Sequence, residues 1–163
     1  MINYVLRPQN CVLIAFLFTA ISVNAETVED VSKKVRSPEQ LEKFYADGFK
    51  SVLKLPDHKQ SPQQTLNDKA GDCSDFAELT QAVFKEIGIS GEIVVIKFAN
   101  DKFGHAIFVW KENGRYNYFD TTTMKKTKFT SIQDLMDNVY SNKECCTACK
   151  KKLDAETLEC VKQ

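Results

Sequence analysis

The pair Asn113-Gly114 is the feature that most constrains how this chain can fold. It separates two runs rich in β-branched and aromatic residues, 105–111 and 115–121. Asn-Gly strongly favours the two-residue turn of a β-hairpin, so the two runs are predicted to be paired antiparallel strands. A turn of this length also fixes the strand register, which places Ile107 opposite Asp120.

The predicted register brings a histidine and a carboxylate together. Because side chains alternate along a strand, His105 and Asp120 lie on one face of the predicted sheet. They form a diagonal pair with backbones roughly 7–8 Å apart, within side-chain reach. The hairpin therefore predicts that Asp120 holds the tautomer of His105, and a register shift of one residue would separate them.

The chain before the hairpin reads mainly as helices. Ser37-Pro38 and Ser61-Pro62 each place a serine cap before a proline at the first helical position. Residues 73–87 carry apolar side chains at helical spacing, and Gly88 is a stop signal. Residues 26–36 give only a weak helical signal.

Two further elements complete the pattern. Residues 92–99 form a β-branched run that reads as a buried strand, and a last helix is predicted after a cap at Thr130. Helices followed by an antiparallel sheet indicate an α+β fold.

The composition limits the classes of partner. The 163 residues carry 22 basic and 22 acidic side chains, so no basic field favours nucleic acid. A hydrophobic fraction of 43% suffices for a packed core, and the length suits one domain.

Residues 1–25 have the pattern of a secretory signal peptide. Arg7 precedes the apolar run 11–23, and Val23-Asn24-Ala25 supplies small residues at a cleavage site. This run is too short for a membrane-spanning helix, which needs about 20 residues. We therefore expect an exported protein, periplasmic or secreted, with no membrane span after cleavage, a domain at 26–140 and a cysteine-rich tail at 141–163.

The cysteines divide into three groups. Cleavage removes Cys11 from the six and leaves an odd number, which in an exported protein implies a free thiol or intermolecular pairing. Cys73 stands alone and is predicted to be free. The other four lie in the tail: Cys145, Cys146, Cys149 and Cys160.

The tail cysteines are predicted to form two disulfides. A vicinal 145–146 bond is strained, which leaves 145–149 with 146–160, or 145–160 with 146–149. Four thiolates could instead bind zinc, but an oxidising compartment favours disulfides.

Cys73 is the candidate nucleophile because it begins a helix. The amides and partial positive charge at a helix N-terminus stabilise a thiolate, and the same amides can donate to an oxyanion. A thiolate also needs a base and an orienting group. Of the two histidines, His58 lies in a loop-like segment, whereas His105 has Asp120 as its predicted neighbour.

These residues carry a family resemblance. The run Gly71-Asp72-Cys73-Ser74-Asp75-Phe76-Ala77, with Leu79 and Gly88, resembles the nucleophile helix of the transglutaminase-like superfamily. Gly104-His105-Ala106 and Tyr118-Phe119-Asp120 resemble its histidine and aspartate strands, and the chain is closest in character to periplasmic cysteine proteinases of this group. The resemblance implies a papain-like α+β core, with the nucleophile helix packed on a small antiparallel sheet and a Cys73–His105–Asp120 triad.

Two parts of the expected site are less defined. Oxyanion donors could be the backbone N–H of Cys73, Gln64 or Asn67. Some periplasmic members have an acidic residue on both sides of the cysteine in a calcium-linked site, whereas Ser74 follows the cysteine here. We therefore expect no cofactor; the weak candidates for calcium ligands are Asp72, Asp75 and Glu78.

The predicted function is an exported cysteine hydrolase that acts on peptide or side-chain amide bonds of a protein or peptide substrate. The alternatives are a non-catalytic binding module or assembly factor with the same fold, and a protein cross-linking amidotransferase. A thiol oxidoreductase using Cys146 and Cys149 is disfavoured, because the βαβ setting of that motif is missing.

Overall fold

A computed structural model describes residues 25–53, 59–98, 104–140 and 147–150 of the chain. Its helices are α1 (Val28–Lys34), α2 (Pro38–Ala46), α3 (Pro62–Asp68), α4 (Cys73–Glu86) and α5 (Ile132–Val139). Its strands are β1 (Lys50–Ser51), β2 (Ala70–Gly71), β3 (Gly91–Lys97), β4 (His105–Glu112), β5 (Arg115–Asp120), β6 (Thr123–Lys125) and β7 (Thr147–Lys150). None of the helices in these ranges has the length and hydrophobicity of a membrane span.

Several predictions concern residues that the structure does not describe. Residues 1–24 of the predicted signal peptide, His58 and three tail cysteines (Cys145, Cys146 and Cys160) lie outside the described residues. Export and the tail disulfides therefore stay predictions.

The main sheet has five strands in the order β6-β5-β4-β3-β7, and every neighbouring pair is antiparallel. A separate two-stranded parallel sheet joins β1 to β2 just before α4. Helices followed by an antiparallel sheet confirm the α+β class.

The β4–β5 hairpin has the predicted register, with Ile107 opposite Asp120 and Glu112 opposite Arg115. Asn113 and Gly114 both have positive φ angles, 50° and 79°. These angles are those of a type I′ turn, whose twist matches that of the strands it joins. The local turn thus fixes a pairing that reaches the functional end of the sheet.

Helix starts follow the sequence signals with small shifts. Ser37 and Ser61 accept from the amides three residues on, as predicted. Gln40 has the spacing to close a capping box on Ser37, but its side chain accepts from the Arg36 amide at 2.6 Å, one residue before the cap. The final helix is capped by Ser131 in place of Thr130.

Helix α1 is better defined than its composition indicates, because a reciprocal capping box forms at its start. The side chain of Thr27 accepts from the Asp30 amide, and the Asp30 carboxylate accepts from the Thr27 amide. This pairing satisfies two amides that a short helix would otherwise leave exposed.

The main sheet is covered by helices on both faces. On one face, α4 packs its apolar side chains, including Phe76, Phe84 and Leu79, against Phe108 and Phe119 of the central strands. On the other face, Leu135 and Met136 of α5 pack on Ile96, Ile107 and Val109. Covering both faces explains why the central strands read as nearly continuous apolar runs.

Strands β6 and β7 were not predicted from the sequence. β6 pairs with β5, and its Met124 amide donates to Glu42 of α2 at 2.9 Å, which covers part of an open edge. β7 lies in the predicted tail and pairs with β3, with Cys149 opposite Val95. The tail therefore includes a backbone segment that extends the sheet.

Replacing Phe84 with alanine is expected to lower the free energy of unfolding by about 3–5 kcal/mol, because it leaves a cavity in a packed aromatic cluster. Phe84 is fully buried, and its ring meets Phe108 and Trp110 edge-on at centroid distances of 5.0 and 5.2 Å. Urea denaturation followed by circular dichroism measures the loss. Leu53→Ala is the control, because Leu53 is 69% exposed and its truncation should change stability by no more than about 0.5 kcal/mol.

Candidate active site

Cys73 is the first residue of α4 and is half-buried. The preceding Asp72 caps the helix: its Oδ1 accepts from the amides of Ser74 at 2.8 Å and Asp75 at 3.1 Å. Its carbonyl accepts from the Phe76 amide at 3.1 Å. The amides of Ser74, Asp75 and Phe76 are thus all bonded to Asp72, whereas the Cys73 amide has no acceptor among the described residues. It is therefore available to a ligand.

His105 begins β4 and Asp120 ends β5, so the hairpin register places them at one end of the sheet. The Nε2 atom of His105 lies 2.8 Å from Oδ1 of Asp120. This contact leaves Nδ1 as the second polar atom of the imidazole ring. The histidine–carboxylate pair expected from the sequence is therefore formed.

The side chains of His105, Asp120 and Cys73 interact electrostatically. The hydrogen bond to Asp120, followed by the interaction with Cys73, raises the pKa of His105 to about 9, although burial opposes this shift. The same hydrogen bond lowers the pKa of Asp120. Both shifts favour the imidazolium–carboxylate form of the pair, with Cys73 beside it.

Tyr140 is a neighbour of this pair that the sequence did not identify. Its ring centroid lies 6.3 Å from that of His105, and Tyr140 is only 8% exposed. It follows α5, which packs on the face of the sheet that carries His105. No local motif links Tyr140 to the histidine, so only the packing of α5 reveals the contact.

The two side-chain candidates for the oxyanion lie on the exposed surface of α3. The Asn67 side chain accepts from Gln63 Nε2 at 2.8 Å, which gives it a partner on its own helix. Gln64 and Asn67 stay predictions as oxyanion donors, whereas the Cys73 amide is already adjacent to the thiol.

The three calcium candidates do not fit a shared cation site. Both carboxylate oxygens of Asp75 accept backbone amides, from Gln60 at 2.8 Å and Asp72 at 3.1 Å. Asp72 caps α4, and Glu78 pairs with Lys59 at 2.9 Å. No group of three or more acidic, histidine or cysteine side chains could hold a metal within the described ranges. Calcium takes six to eight oxygen ligands.

Calcium is therefore expected to leave the thermal midpoint unchanged. A ligand bound at a hundredfold excess over its Kd would add about 2.7 kcal/mol to the stability, which is several degrees in Tm. Melting curves in millimolar CaCl₂ and in EGTA test this expectation. A calcium-dependent rise of several degrees would show that a cation site exists despite these hydrogen bonds.

The fold and the site together define a class of protein. It is an α+β domain in which a cysteine at a helix N-terminus lies beside a histidine–aspartate pair. Residues 19–147 match the family model described as the transglutaminase-like domain. Because the match covers most of the chain, the protein belongs to this family.

The similarity to individual proteins is weaker or covers less of the chain. A UPF0252 protein of Archaeoglobus fulgidus is 38% identical over 61 residues, which are 37% of this chain and 20% of that protein. A proposed cysteine protease of Cytophaga hutchinsonii is 18% identical with a TM-score of 0.48, covering 60% of this chain and 37% of its own. Calcium-bound LapG of Legionella pneumophila is 20% identical with a TM-score of 0.46, covering 61% and 63%. The chain spans less than two thirds of each of these proteins.

Proposed function

We propose that the protein is a cysteine hydrolase that cleaves peptide or side-chain amide bonds through Cys73, His105 and Asp120. The observation that supports this most is the His105–Asp120 contact of 2.8 Å, on an imidazole whose pKa is also raised by Cys73. A histidine that bonds a carboxylate and a thiol at once has the arrangement of a nucleophile, base and orienting group.

In the first half-reaction, the Cys73 thiolate attacks the amide carbonyl carbon and forms a C–S bond. The oxyanion that develops accepts a hydrogen bond from the Cys73 amide, which has no other acceptor among the described residues. The C–N bond then breaks, and the His105 imidazolium gives its proton to the leaving amine. The products are a thioester on Cys73, a free amine and neutral His105.

In the second half-reaction, neutral His105 takes a proton from water as the water oxygen attacks the thioester carbon. The C–S bond breaks, and Cys73 leaves as a thiolate beside the restored imidazolium. Asp120 keeps its bond to Nε2 throughout, so Nδ1 is the nitrogen that exchanges protons with the sulfur, the amine and water. The net reaction consumes one water and yields an acid and an amine.

We also propose that the protein acts after export, since residues 1–25 carry the pattern of a signal peptide. The substrates would then be proteins or peptides of the envelope or the exterior. Water is the favoured acceptor because it is present in large excess, and an amine would need a site built for it.

The test uses a peptide mixture in H₂¹⁸O with a primary amine added as a competing acceptor. Mass spectrometry then separates three products: ¹⁸O in a new chain terminus, ¹⁸O in a side-chain carboxylate, and amine incorporation. The wild-type protein is expected to give ¹⁸O products, and Cys73→Ala none.

Two outcomes would contradict the proposed hydrolase. Amine incorporation without ¹⁸O would indicate an amidotransferase. Equal product formation by the wild type and by Cys73→Ala, in a mixture of broad sequence coverage, would favour a non-catalytic binding module.

A further inference from the structure

Asp75 is an acidic residue that the proposed reaction does not use, although it lies two residues after Cys73. It is fully buried, with 0% of its surface exposed. Its two oxygens accept from separate backbone donors: Oδ1 from the Gln60 amide at 2.8 Å, and Oδ2 from the Asp72 amide at 3.1 Å. A carboxylate is buried at a large cost unless hydrogen bonds of this kind compensate it.

The two donors tie different parts of the chain to the start of α4. Asp72 is the residue directly before the nucleophile, and Gln60 lies just before α3, 15 residues from Asp75. Asp72 in turn accepts from the amides of Ser74 and Asp75. Cys73 therefore sits inside a closed set of bonds that fixes the peptide groups on either side of it.

The backbone before Cys73 also packs directly on this carboxylate. A Cβ atom added at Gly71 would lie 2.8 Å from the Asp75 Cβ and 3.1 Å from its Oδ2. The glycine thus allows β2 to approach Asp75 closely. The same approach sets the direction in which the chain enters α4 and so the direction of the Cys73 amide and thiol.

We propose that Asp75 is a positioning residue that holds the Cys73 amide and thiol in place by bonding the Asp72 and Gln60 amides. This proposal rests on the proposed hydrolase function. The bond from the Asp72 amide to Asp75 is half of a reciprocal helix cap, but that cap does not involve Gln60. The additional bond to Gln60 anchors the start of α4 to a distant segment, which local helix capping does not do.

The test compares Asp75→Asn with Thr80→Val. Thr80 is also fully buried on α4 and bonds Tyr45 at 3.0 Å, so its loss disturbs the same helix away from Cys73. The second-order rate of Cys73 alkylation by iodoacetamide is measured at about pH 6, at a temperature where circular dichroism shows each variant folded. Asp75→Asn is expected to lower this rate about tenfold, because small displacements at a reacting atom are costly.

Thr80→Val should keep the wild-type rate even if its Tm falls as far as that of Asp75→Asn. The ¹⁵N chemical shifts of the His105 ring should move in Asp75→Asn and stay in place in Thr80→Val. Unchanged alkylation in Asp75→Asn, or an equal loss in Thr80→Val, would overturn the proposal.

Gly71→Ala is the second variant if Asp75→Asn does not fold. It keeps the carboxylate but displaces it, and it should lower the alkylation rate in the same direction; a wild-type rate would overturn the proposal. Failure of the hydrolase function is distinguishable, since it would appear as a wild-type Cys73 that reacts no faster than in His105→Gln. A wild type that depends on His105 but not on Asp75 sinks only the present inference.

Discussion

Replacing His105 with glutamine is expected to lower kcat/KM for an amide substrate by at least about a thousandfold at neutral pH. Glutamine is similar in size and can still accept or donate a hydrogen bond. It cannot take a proton from Cys73, protonate the leaving amine or activate water. The starting thiolate–imidazolium pair and both proton transfers of the proposed reaction are therefore lost together.

The measurement uses a peptide substrate identified through its ¹⁸O-labelled product. His58→Gln is the matched control, because His58 is the other histidine of the chain and the reaction assigns it no role. It should keep the wild-type kcat/KM. Retention of more than a tenth of the activity by His105→Gln would argue against general acid–base catalysis by this residue.

Asp120→Asn is expected to lower the pKa of His105 and so to change the pH dependence of kcat/KM. The bond to Asp120 is the first cause of the raised pKa of His105, about 9 in the folded protein. Its loss should return this pKa towards the ordinary value of about 6.5. The alkaline limb of kcat/KM should then move to lower pH, because the imidazolium needed as the acid is lost earlier.

The interaction between His105 and Asp120 should also make the stability of the folded protein fall as the pH rises. Since the folded pKa of His105 exceeds its unfolded value, its contribution is fully present below about pH 6.5 and is lost as the pH rises through about 9. Asp120→Asn should remove most of this dependence. Long-range ¹H–¹⁵N NMR in a His58→Gln background measures the His105 pKa, and an unchanged value in Asp120→Asn would contradict the assigned ion pair.

The sequence predicts the His105–Asp120 pair because one local signal controls a long-range contact. Asn113-Gly114 fixes the hairpin register, and side-chain alternation then places His105 with Asp120. The Cys73 helix is predicted by its apolar periodicity and by Gly88. These signals depend on neighbours in sequence, which is why they can be read without a structure.

The contacts around the site that the sequence does not predict depend on tertiary packing. The bond from the Gln60 amide to Asp75 spans 15 residues, and nothing at either position marks the other as its partner. The pair Asp72-x-x-Asp75 does have capping-box spacing, so the reciprocal cap is a signal that could have been read. Tyr140 reaches His105 only because α5 packs on that face of the sheet.

The most direct test of the central claim requires no substrate. It is the site-resolved alkylation of the purified protein by a low concentration of iodoacetamide at about pH 6, analysed by peptide mass spectrometry. An ordinary thiol with a pKa of about 8.5 is mostly protonated at this pH and reacts slowly. Selective labelling of Cys73 in the wild type, lost in His105→Gln and kept in His58→Gln, is the predicted result. Labelling of Cys73 no faster than in His105→Gln would contradict a thiolate paired with His105.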